Sequence, residues 1–91
     1  MDYEALGRYT AAMEAMGKAN KERNMFLAEL ARAVRRVIDV NLGQDEAMDF
    51  DHSQARALLE QATVAHHDLA RAVADANSCA LAAGKLEIRL R

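Results

Sequence analysis

The sequence predicts an all-α protein: an antiparallel helical hairpin of two long helices with a coiled-coil-like seam, associating with a second copy into a four-helix bundle. Three observations predict it. The chain of 91 residues has no proline, four glycines and 4% aromatics, and the helix formers Ala, Leu, Met, Glu, Arg and Lys fill most of it. Turn-forming residues gather in one place, NLGQDEAMDFD at residues 41–51. On both sides of that cluster apolar residues recur at alternating steps of three and four, the spacing of one helix face turned toward another. The length allows one core, so residues 1–91 read as a single domain: helix 1 over about 3–42, a bend over about 43–51 and helix 2 over about 52–89.

In helix 1 the expected seam is Leu6, Tyr9, Met13, Met16, Asn20, Arg23, Leu27, Leu30, Val34 and Val37. Only Asn20 and Arg23 are polar. Such a layer gives up packing to fix register or oligomer state, the role the sequence assigns to this pair, with Arg23 reaching Asp68 or Asp75 or snorkelling outward.

The bend supplies the stop and the next start. Gly43 suits the left-handed position that closes a helix, and Asp49, Asp51 and Ser53 each suit the position that caps the following one. The window DFDHSQARALLE also spaces Asp49, Asp51, Ser53 and Glu60 as the ligands of an EF-hand calcium loop are spaced. Gln54 stands where that loop needs glycine, Ala57 offers no oxygen, and Ala55, Leu58 and Ala62 already belong to a helix face. The stretch therefore reads as a helix start, capped by Asp51 or Ser53, with Phe50 near the first turn.

Helix 2 repeats the alternation through Ala55, Leu58, Ala62, Ala65, Leu69, Ala72, Ala76, Cys79, Ala83, Leu86 and Leu90, with no polar member. This seam is small where the first is large. Folded antiparallel, one register pairs residues whose numbers add to 92: Leu30 with Ala62, Met13 with Cys79, Tyr9 with Ala83 and Leu6 with Leu86.

Apolar residues outside the seam need a further surface. Phe26, Ala33 and Val40 lie along one edge of helix 1, and Leu59 and Val73 beside the seam of helix 2. A large side chain left in water forfeits about 1.5–3 kcal/mol relative to burial, so these five mark the expected protein-interaction face. A second copy is the simplest partner, giving a homo-oligomer, and another protein is the next.

The formal net charge of −2, with 29% charged residues, supplies no basic excess. Arg32, Arg35 and Arg36 form the one local run that nucleic acid would use, and Glu29 and Asp39 interleave with it, so nucleic acid is not an expected partner. His66, His67 and Asp68 are badly spaced for chelation because neighbours on a helix point about 100° apart, and His52 lies several turns away. Ser53 and Ser78 lack a base with an orienting carboxylate, and Cys79 falls in the seam. No enzyme, cofactor, metal or small-molecule substrate is expected. The single cysteine suits a reducing, cytoplasmic compartment. MDYEALGRYT lacks signal-peptide character, and no membrane span is expected. In size and shape the hairpin is similar to secreted WXG-type proteins and type III secretion needle subunits, but NLGQDEAMDF has neither a Trp-x-Gly nor a proline turn, and no family assignment follows. The expected function is a non-enzymatic protein–protein interaction module of adaptor, secretion-chaperone or small-inhibitor type, acting through an apolar helical face and self-association. The alternative is a nucleic-acid-associated helical protein using the Arg32/Arg35/Arg36 face.

Overall fold

The computed structural model describes residues 2–91. Helix α1 spans Tyr3–Ile38 and helix α2 spans His52–Ala80, and the two pack against each other in a rod of 69 × 19 × 15 Å. Among the described residues there is no strand. The pairing is antiparallel: Ala5 clusters with Cys79 and Ala83, and Ala19 with Leu69 and Val73.

Side chains close the helix starts. Asp2 accepts the amides of Glu4 and Ala5 at 3.0 and 3.1 Å, two of the donors that the first turn leaves without a helical partner. Asp51 accepts the Gln54 amide at 2.9 Å, so the window that resembles a calcium loop is wound into α2 from His52 onward. Among the described residues no three His, Cys, Asp or Glu side chains converge as a metal site would require.

The helix ends differ from expectation. α1 stops at Ile38 rather than near residue 42, and residues 39–51 cross to α2 without regular structure. Gly43 is not left-handed. It sits in a turn closed by Glu46, whose carboxylate accepts the Gly43 amide and whose amide donates to the Gly43 carbonyl, both at 3.2 Å. The left-handed glycine is Gly84, at φ 72°, and it ends α2 well before the expected residue 89. There Lys85 donates its amide to the Ala80 carbonyl at 2.8 Å and Gly84 donates to Leu81 at 3.1 Å, the paired bonds of a Schellman ending. Leu86 and Leu90 therefore leave the helix, and the expected partnership of Leu6 with Leu86 does not form.

On α2 the seam from Leu58 to Ala83 is buried as the alternation implies. On α1 it is rotated. The buried residues are Ala5, Ala12 and Ala19, continued by half-buried Phe26 and Ala33. This column replaces Leu6, Met13, Asn20, Leu27 and Val34, while Tyr9, Met16, Arg23, Leu30 and Val37 serve both seams. Polarity and size explain the choice: the rejected column contains Asn20, and alanine facing alanine lets two backbones approach closely without a void.

Register moves with the seam. Ala5 shares a cluster with Cys79 and Ala83, and Arg23 meets His66, pairs whose numbers add to 84, 88 and 89 rather than 92, while Ala19 sits between Leu69 and Val73 at 88 and 92, so the seam is displaced by up to about one helical turn. Cys79 consequently packs with Ala5, Leu6 and Tyr9 rather than Met13. At the level of Ala62, α1 presents Leu27 on one side of the seam, and Phe26 borders Gln61 and Ala65 on the other.

Ala76 has 0% exposure, so Ala76→Leu is expected to overpack the seam and lose about 1–3 kcal/mol in a urea titration followed by circular dichroism. Gly84→Ala is expected to cost about 1 kcal/mol through its left-handed backbone, with helix content preserved.

Candidate interaction surface

A groove opens on each side of the seam. The more apolar one lies between Arg23 and Leu27 of α1 and Leu59, Ala62, Thr63 and His66 of α2, and encloses about 250 Å³. Leu27 and Leu59 remain 41% and 52% exposed on its opposite walls. Thr63 commits its hydroxyl to the Leu59 carbonyl at 2.8 Å, so that donor is withdrawn from the groove.

Arg23 bridges the helices at this groove. Its Nη1 lies 3.2 Å from His66 Nδ1, its Nη2 donates to Asn20 Oδ1 at 3.0 Å, and its Nε donates to Asn24 Oδ1 at 3.2 Å. A guanidinium has donors only, so the His66 contact requires an imidazole unprotonated at Nδ1. Among the described residues this is the one hydrogen bond between side chains of the two helices. The expected polar layer is thus corrected. Asn20 is exposed rather than seated in the seam, and Arg23 turns to His66 rather than to Asp68 or Asp75. Those carboxylates line the opposite groove with Lys18, Glu22 and Arg71, where Asp68 and Arg71 form an exposed pair at 3.9 Å that contributes little to stability.

The five residues expected to form one apolar interaction face do not lie together. Val73 is 7% exposed and packs with Ala19 and Leu69 beneath Ile88, so it belongs to the core. Phe26 and Ala33 are half-buried because the rotated seam takes in their column; Phe26 borders the second groove with Val64, Ala65 and Gln61. Val40 lies exposed in the crossing segment. Leu59 alone stands on the open groove.

The basic run is exposed. Arg35 and Arg36 occupy the last turn of α1, where the negative end of the helix dipole favours cations, and Arg36 borders the same hollow as Asp49 and Asp51. Ala33, Val37, Met48 and Phe50 line that hollow, so the crossing segment closes this end of the rod. The His66 and His67 ring centroids are 6.4 Å apart and tilted by 53°. Cys79 is buried, with its thiol 3.4 Å from the Asp75 carbonyl. No described helix is long and apolar enough to cross a membrane.

Three residues that shape this surface, Thr63, Asn77 and Ile88, are not singled out by the sequence, whereas His66 is named there as a poorly spaced chelator and is half-buried beside the seam. A signal for Ile88 exists: after Gly84, KLEIRLR alternates charged and apolar residues with the period of extended chain. No protein-family model, curated protein or solved structure matches the chain.

A double-mutant cycle of Arg23→Met and His66→Leu is expected to return a coupling of about 0.5–1.5 kcal/mol in denaturant melts. Strictly additive losses would show that the bridge does not tie the helices in solution.

Proposed function

We propose that the hairpin is a non-enzymatic protein-interaction module of the adaptor, secretion-chaperone or small-inhibitor type, and that it associates with a second copy of itself through the Leu27–Leu59 groove to complete a four-helix bundle. One observation carries this reading. The seam buries mainly alanines, while Leu27, Ile38, Leu59, Val64 and Leu81 stay exposed, an inversion that favours a further protein surface. A second copy supplies it most simply, since a two-fold axis sets the same groove against itself and closes the assembly. The proposed setting is the cytoplasm, which the single cysteine supports.

Light scattering over a concentration series, with circular dichroism on the same samples, tests this. The wild-type chain is expected to be a helical dimer, and Leu59→Asp a helical monomer at the same concentrations. A mass unchanged by Leu59→Asp and by Leu27→Asp would remove the groove from the interface.

A further inference from the structure

Beyond Gly84 the chain reverses, and Lys85–Arg91 lies back along α2 as an extended strap. Asn77 holds it at one point. Its Nδ2 donates to the Ile88 carbonyl at 2.9 Å, and its Oδ1 accepts the Ile88 amide at 2.7 Å, so one side-chain amide reproduces the bond pair a neighbouring strand would make. The Ile88 side chain packs on Ala19, Leu69 and Val73, with Met16 at the margin. The amide clamp touches only main chain, so side-chain identity is selected at the Ile88 seat alone. Elsewhere the strap is loosely held: Leu86 is 89% exposed.

We propose that this seat is a binding site for an extended peptide segment with a branched aliphatic side chain at its centre, and that its occupant in trans is the Lys85–Arg91 strap of a second copy. The inference deepens the self-association reading by naming the segment exchanged. The seat is continuous with the proposed dimer face, because Leu59, Thr63, His66, Ala70, Val73 and Asn77 follow one column of three- and four-residue steps along α2. Gly84 is the hinge, since rotating this one residue out of its left-handed conformation releases the strap and leaves α2 intact. Reciprocal exchange restores the same clamp and the same seat in both copies, and it closes under two-fold symmetry.

The probe is a fluorescent peptide of sequence KLEIRLR, titrated into the full chain and read by anisotropy. In the wild type the tethered strap competes at an effective concentration on the order of millimolar, whereas Ile88→Asp expels it and is expected to bind the probe at least about tenfold more tightly. Ile88→Ala is expected to show the same ordering with a milder change. Adding Asn77→Ala abolishes binding, and a probe carrying Asp in place of its isoleucine does not bind. By light scattering, the wild-type dimer is expected to dissociate in Ile88→Asp with helix content retained. A helical Ile88→Asp chain that fails to bind the probe overturns the site. A dimer that survives Ile88→Asp but not Leu59→Asp overturns strap exchange and leaves the groove reading standing; loss in Ile88→Asp with survival in Leu59→Asp does the reverse. A wild type that is monomeric throughout overturns the second copy as occupant.

Discussion

The close approach of two backbones along a line of alanines is the constraint from which the rest of the molecule follows. Ala5, Ala12 and Ala19 meet a partner seam built largely of Ala62, Ala65, Ala72, Ala76 and Ala83. Alanine loses no side-chain rotamer freedom on burial, and its short side chain lets helices settle near the lower end of their usual spacing of about 8–10 Å. Bulk at the centre comes from α2 alone, at Leu58, Leu69 and Val73. Leu6, Tyr9, Met13 and Met16 are pushed to the margins, half-buried, and Leu27 and Leu59 stand further out, on the walls of a groove. The apolar surface of the rod is thus a by-product of its tight seam.

Helix existence and the α2 seam were legible in the sequence because a single unbroken apolar column runs along α2. The α1 seam was less so. Two adjacent columns there satisfy the same three–four alternation and share every second member, and ranking by bulk selects the wrong one. The deciding signal is polarity: one column contains Asn20, the other runs Ala5, Ala12, Ala19, Phe26, Ala33 without a polar residue. Register was not legible for a related reason. A slide by one turn carries a helical seam onto itself, and a partner lined mostly with alanine offers few steps in size to oppose the slide.

The candidate surface divides along the same line. Leu59 is visible as an apolar residue off the seam, and it remains exposed. Val73 has the same sequence character yet is covered, because what buries it arrives from beyond a chain reversal that local periodicity does not report. Leu86 and Leu90 are four apart, a spacing that fits a helical face and an extended strand equally well. Gly84 separates the two, and a glycine followed by Lys85 and strict alternation is the pattern of a helix end. Asn77 left no such mark, since its role depends wholly on the segment folded over it.

The antiparallel seam also orders the molecule in time and in local stability. Contacts beside the crossing segment close short loops, whereas Ala5 and Ala83 meet only after nearly the whole chain has been gathered, and the entropy of loop closure rises with the length enclosed. Assembly from the crossing end upward, like a zip, is the least costly order, each layer shortening the loop the next must close. Opening follows the reverse path. The layer of Ala5, Cys79 and Ala83 closes the longest loop of the seam, so partial opening of that end, with the rest of the rod folded, is the least costly route by which the buried thiol would meet solvent.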